Sequence, residues 1–320
     1  MSVLVQGLLH YPSLVSQSPR TLKAVGLLTV VAALACSQYQ AFDSEAAVRT
    51  RAAELLPASR TTPLQVPFAL NDQIEEVLRQ SRPNPNEIRR VEWVLDFIFG
   101  RLGLRYSLLP TRDAVGTYAT HEGNCLSFVN LFVGIARQRR LNPFYVEVRD
   151  YQKWSYRDGN VLSQGHIVAG LFLKNELKTY DFLPYRPKSY RSFNPINDLQ
   201  ATAHYYNNLG AEALMDGNLD RAEENLRLAH SISPGFVKAI NNLGVLLARR
   251  GRTEEATAIY QEGLALEPED VAILSNLAAL YQRAGRIDEA TALLAKMESV
   301  HNTNPFFFLY QAEVALARGD

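Results

Sequence analysis

The chain has 320 residues, 47% of them hydrophobic and 21% charged, enough to bury the core of two ordinary domains. Lys plus Arg and Asp plus Glu both number 33, so the net charge is zero and a strongly basic nucleic-acid binder is excluded as a class. Two cysteines, Cys36 and Cys125, exclude a multi-bridge disulfide scaffold and a four-cysteine zinc site.

The first 36 residues read as an address. Arg20 and Lys23 precede an apolar run, Ala24 to Ala35, broken by Gly26 and Thr29. The run has the length of a signal-peptide core and is too short to span a bilayer as a helix. It ends Ala33-Leu34-Ala35-Cys36, which resembles the lipobox of bacterial lipoproteins. That resemblance implies lipid on Cys36, cleavage before it, and an exported, membrane-anchored protein facing the bacterial periplasm. A plain cleaved signal and a short uncleaved anchor are the alternatives. If both leading cations are removed, 31 positive charges face 33 negative ones. A lipid on Cys36 would then be the contact with the membrane.

Residues 37–65 read as a tether with a short helical piece, and 66–192 as the first folded domain. Asn71, with Glu75 behind it, predicts a helix start. A second helix is predicted from Asn86 to Phe99, with Gly100 as its stop. Next comes Glu122-Gly123-Asn124-Cys125-Leu126-Ser127-Phe128, opening an apolar helical pattern. Gly123 permits a tight turn, and Cys125 falls in the first helical turn. There the free N–H groups and the helix dipole favour an anion, on sulfur or on an oxyanion beside it.

Strands are predicted at Phe144–Val148, His166–Leu173 and Lys178–Phe182, with a turn at Lys174-Asn175-Glu176. His166 could accept the Cys125 proton, and Asp181 could orient the imidazole. His121 is a rival base, but its chain would have to fold back to reach the sulfur. Tyr118, Trp154 (in the loop between strands) and Gln164 are candidates for the substrate cleft.

Gly123-Asn124-Cys125, His166 and Asp181, in this order, resemble the transglutaminase-like superfamily with its papain-like core, over residues 75–185. The resemblance implies an α+β papain-like domain with Cys125 as nucleophile, His166 as base and Asp181 as orienting acid. No acidic cluster argues for a dedicated calcium site and hydrolysis needs none, so no metal and no cofactor are expected. Val168 and Phe182 stand where that family often has Trp and Pro.

Residues 193–202 read as a linker, and 203–320 as a repeat array. Pro234 and Pro268 lie 34 residues apart, and the same offset relates Gly217, Gly251, Gly285 and Gly319. It also relates Ala222, Ala256 and Ala290. This period resembles the tetratricopeptide repeat (TPR), implying an all-α solenoid of three repeats plus a partial fourth at 305–320. The first helices of stacked repeats line a groove that binds a protein or peptide. By resemblance, His204, Asn207, Lys238, Asn241, Ser275 and Gln282 face it. Asn208, Asn242 and Asn276 recur at one position and are expected to tie repeats together. Phe306, Phe307, Phe308 and Leu309 form an apolar face on the partial repeat.

The expected function is a lipid-anchored thiol hydrolase or acyltransferase acting on a peptide or carboxamide bond, with the TPR array recruiting partners or substrate. The alternative is a non-catalytic, lipid-anchored interaction scaffold that uses the TPR groove alone. Neither reading calls for nucleic acid.

Overall fold

Short polar side chains start the helices of the N-terminal half. In the computed structural model, which describes residues 44–56, 63–157, 160–184, 190, 192–299, 308, 311–312 and 315–316, Ser44 opens helix α1 (Glu45–Leu55) by accepting the Ala47 N–H. Asn71 does the same for α2 (Asp72–Arg79), and Asn86 for α3 (Glu87–Leu95). Gly100 does not stop α3. The helix widens into a π-helical turn, Asp96–Arg101, in which the Leu102 N–H reaches the Phe97 carbonyl. The chain then reverses at Gly103, at φ +61°.

A small parallel pair, β1 (Arg105–Tyr106) and β2 (Glu122–Gly123), brackets helix α4 (Ala114–Thr120). Helix α5 (Cys125–Gln138) follows at once, capped by Asn124. Every residue from Leu126 to Ala136 is buried. Helix α5 packs on an antiparallel sheet of order β5-β4-β3-β6. Its strands are β3 (Phe144–Arg157), β4 (Asn160–Leu173), β5 (Glu176–Tyr180) and β6 (Phe193–Ile196). Antiparallel neighbours need only short turns, which the β4–β5 turn supplies with Lys174 and Asn175 at positive φ.

Six helices follow as three antiparallel pairs: α6 (Asp198–Met215) with α7 (Leu219–Ile232), α8 (Val237–Arg249) with α9 (Thr253–Leu266), and α10 (Val271–Arg283) with α11 (Ile287–Ser299). The periodic glycines have a common reason. Gly217, Gly251 and Gly285 sit between the helices of each pair at φ +76°, +72° and +74°, where a Cβ is disfavoured. Gly319 lies outside the described residues, as do Phe306, Phe307 and Leu309; Phe308 is helical and exposed.

Three expected boundaries move. The stretch expected as a tether contains α1, whose Val48 and Ala52 are fully buried in the main core, and Leu64, which is also buried there. The expected linker is not one, because β6 hydrogen-bonds to β3 and α6 already begins at Asp198. The paired strands also run further than predicted, since β3 and β4 continue as a ladder out to Arg157 and Asn160. Their polar outer half carries no apolar alternation to reveal it.

One apolar core joins α5 to the first repeats. It holds Leu131, Phe132 and Ile135 together with Tyr205, Tyr206, Ala229, Ile232 and Ala239. Arg137 of α5 makes a two-pronged ion pair with buried Asp198 of α6, at 2.7 and 2.8 Å. The later repeats bury a second core built on Leu243, Leu246, Tyr260, Ile273 and Leu277.

Close helix approach in that second core generates a prediction. A Cβ on Gly244 would lie 2.3 to 2.7 Å from the ring of Tyr260, which is fully buried. Gly244→Ala is therefore expected to destabilise the fold by about 1–3 kcal/mol despite the better helix propensity of alanine, read as a lower urea midpoint. A midpoint that rises would mean that the ring has room to move.

Candidate active site

Cys125 is the first residue of α5 and is half-buried. The turn before it is fixed by hydrogen bonds and by close packing. Asn124 accepts from the Ser127 N–H and the Ser127 hydroxyl, both at 3.0 Å. A Cβ on Gly123 would lie 2.6 Å from Ser127 Cβ and 3.3 Å from the Phe128 ring, so only glycine lets the chain pass there.

His166 lies within β4, opposite Val148 of β3, and is 1% exposed. Asp181 follows directly on β5. Ala169 pairs with Tyr180, so the antiparallel register brings Asp181 beside the His166 face of β4. His166 Nε2 and Asp181 Oδ1 are 2.9 Å apart. Asp181 is held in turn by the Leu183 N–H at 3.0 Å and the Tyr190 hydroxyl at 2.6 Å. The Tyr190 ring also packs 5.5 Å from the His166 ring. Tyr190 has no counterpart in the sequence reading, because nothing in its neighbourhood marks it as other than a loop tyrosine.

Burial by itself would lower the His166 pKa. The hydrogen bond to Asp181 and the hydrogen-bonding contact with Cys125 outweigh it and raise it from 6.5 to about 9. Nε2 is taken by Asp181, so Nδ1 is the nitrogen left for the sulfur. Burial would raise the Asp181 pKa, but its bonds to His166, Tyr190 and Leu183 prevail and lower it.

Cys125 and His166 line a pocket to which the repeats also contribute. Tyr106, Leu108, Thr111 and Leu183 contribute from outside the repeats. His204, Asn208 and Glu212 of α6, with Phe236 and Lys238, contribute from the repeats. Thr111 joins the two. Its N–H donates to Glu212 Oε1 at 2.7 Å, and its hydroxyl oxygen accepts from Asn124 at 2.7 Å and Asn208 at 3.4 Å. Lys238 pairs with Glu147 of β3 at 2.5 Å. Gly165 makes way for that lysine, since a Cβ there would lie 2.7 Å from Nζ. His204 is held neutral by burial, which lowers its pKa to about 4.

Other expected site residues fall elsewhere. Tyr118 is half-buried against the main core and does not line the pocket; Tyr106 does. Trp154 is in β3, paired with Ser163, rather than in a loop, and Gln164 pairs with Lys153. The side chains of both lie outside the described residues. His121 ends α4 in a left-handed conformation and takes no part in the pocket.

The expected open groove is engaged within the chain. Helix α6 packs against β3, and α8 and α10 pack against β4. His204, Asn207 and Lys238 line the pocket. Asn241 does not face a groove; it is buried and accepts from Asn276 at 2.8 Å, just as Asn207 accepts from Asn242 at 2.8 Å. These bonds tie neighbouring repeats, the role expected of Asn242 and Asn276. Asn208 instead reaches Thr111. Ser275 is also buried and donates to the Val271 carbonyl at 2.7 Å. Gln282 is half-buried near the end of α10.

Among the described residues, no group of three or more His, Cys, Asp or Glu side chains could hold a metal ion. Among the same residues, no helix is long and apolar enough to cross a membrane. Cys36 and the segment around it lie outside the described residues.

A family model described as tetratricopeptide repeat matches residues 247–305. Among solved structures, the chain is similar to a thermophilic TPR protein of Thermus thermophilus, at 28% identity and a TM-score of 0.31. The match covers 37% of this chain and 63% of that one. No curated protein matches the chain. The C-terminal part thus carries tetratricopeptide repeats, a protein-interaction module.

The His166 environment predicts a titration. Its raised pKa favours the protonated ring in the folded state, so this group stabilises the fold fully below pH 6.5. That contribution is lost as the pH rises through about 9. Asp181→Asn removes the charged partner, and NMR titration of the His166 ring is expected to show its pKa falling. An unchanged value would show that Asp181 does not hold the ring in its charged form.

Proposed function

We propose that the chain is a thiol acyl-transfer enzyme of the transglutaminase-like, papain-like kind, acting on a peptide or carboxamide bond. The observation that carries this reading is the linked arrangement of Cys125, His166 and Asp181, with Cys125 and His166 lining a pocket and Asp181 behind the histidine. In this mechanism the thiol proton rests on His166, whose pKa is raised to about 9, so Cys125 attacks as a thiolate beside an imidazolium that Asp181 holds in orientation. The sulfur attacks the carbonyl carbon, and the carbonyl electron pair moves onto oxygen. Backbone N–H groups at the start of α5 stabilise that oxyanion. As the intermediate collapses, the C–N bond breaks and His166 gives its proton to the departing amine. Water then attacks the thioester, losing a proton to His166, and releases the acid and the free thiol. An amine in place of water gives a new amide. No step calls for a metal.

In this reading the first repeat helps to form the substrate site, and the array as a whole gives the enzyme its protein-interaction module. The lipobox-like run before Cys36 supports an exported protein held at the membrane by lipid. Mass spectrometry of the mature N-terminus tests that part: a diacylglycerol-modified Cys36 supports it, and any other terminus rules it out.

The catalytic part is tested by the rate at which iodoacetamide alkylates Cys125 near neutral pH, read by mass spectrometry of its peptide. His166→Ala is expected to slow alkylation on the order of a hundredfold or more. An equal rate in His166→Ala would exclude an activated thiol and leave an interaction scaffold.

A further inference from the structure

The pocket carries charge that the mechanism does not use. Besides Cys125 and the phenol of Tyr106, four ionisable side chains line the pocket among the described residues: His166, His204, Glu212 and Lys238. His166 is engaged with Cys125 and Asp181. Lys238 is neutralised by Glu147. His204 is uncharged at neutral pH, because it is buried against the Phe236 ring, 4.0 Å between centroids. Glu212 is different. Its partner is Thr111, whose N–H supplies a hydrogen bond but no positive charge. The influence of Arg221 reaches it only through space, and Asp216 opposes it. Burial raises its pKa, which is the cost of holding a carboxylate there without a cation.

We infer that Glu212 is a specificity residue that receives a positively charged group of the substrate in the pocket that Cys125 also lines. The substrate class is a peptide or amide bearing a cationic side chain near the reacting carbonyl. A cation docked there would pair with the half-buried carboxylate and relieve its desolvation. A neutral or anionic group at the same place would leave that cost in place or add to it. The surroundings are polar, since Asn207 and Asn208 line the pocket together with Glu212. The inference rests on the thiol-enzyme reading for its substrate, but not for its test.

The test compares three small methanethiosulfonate reagents of matched reactivity on the full-length protein: trimethylammonium-ethyl, sulfonato-ethyl and uncharged methyl. In each, the Cys125 sulfur attacks the reagent sulfur, a disulfide forms and methanesulfinate leaves. The rate at Cys125 is read by mass spectrometry, and each charged reagent is scaled to the uncharged one and to the same ratio on free cysteine. The unmodified protein is expected to favour the cationic over the anionic reagent by about tenfold, as one nearby unscreened charge allows. Glu212→Gln keeps an acceptor for the Thr111 N–H and is expected to abolish that preference. Glu212→Asp keeps the charge and is expected to retain most of it. A preference that survives in Glu212→Gln, or that is lost equally in Glu212→Asp, overturns the inference. Slow labelling by all three reagents, unaltered by His166→Ala, would count against the thiol-enzyme reading while leaving the charge ratio intact as a separate result.

Discussion

Helix α5 is buried on all sides, and the rest of the structure answers to that fact. A helix with only one apolar stripe can lie on a surface, but one buried along eleven consecutive residues, Leu126 to Ala136, needs neighbours all round. Helices α2, α3 and α4 cover part of it, β4 covers another part, and the first repeats supply further residues to the same core. Only the ends of such a helix can meet solvent. Cys125 stands at one of those ends, so its position follows from the burial of everything behind it. A side chain fixed this way loses little entropy on meeting a ligand, because the helix has already been ordered by folding.

The repeats are joined to this centre by polar contacts as well as by the core. Thr111 hydrogen-bonds to Glu212 and accepts from two asparagines, one of which is the cap that precedes Cys125. A displacement of α6 would therefore be transmitted to the turn before Cys125 through two bonds. At the other end of α5, Arg137 and Asp198 form a pair that is nearly dry on the carboxylate side. Buried pairs of this kind contribute more to fixing one arrangement than to net stability. Together they hold α6 in register with α5 at both ends.

Much of this was legible in the sequence, and the reasons differ by region. The 34-residue spacing of Gly217, Gly251 and Gly285 could be read because each glycine answers a local need for positive φ. The grouping of Cys125, His166 and Asp181 was expected from their residue types and order, and the structure brings His166 within 2.9 Å of Asp181 and into contact with Cys125. The course of β6 could not be read. Its pairing with β3 depends on a backbone edge offered by a distant strand, and the residues Phe193-Asn194-Pro195-Ile196 carry no alternation that announces it. The engaged repeat face was hidden for a related reason. Helices α6, α8 and α10 have the composition of any groove-lining helix, and what covers them comes from β3 and β4, far off in sequence. Tyr118 misled because closeness to a cysteine in sequence is not closeness in space, and α4 turns the ring towards the core.

The reach of the β3–β4 ladder and the number of repeats form a matched pair of lengths. Solenoids ordinarily grow and shrink by whole units, since each unit touches only its neighbours. Here β4 touches both α8 and α10, so a repeat inserted between them would shift α10 out of step with the strand it packs on. Duplication or loss of units is free only beyond α11. The first three repeats are therefore tied to the strand length in descent, and a lineage that lengthened one would have to lengthen the other.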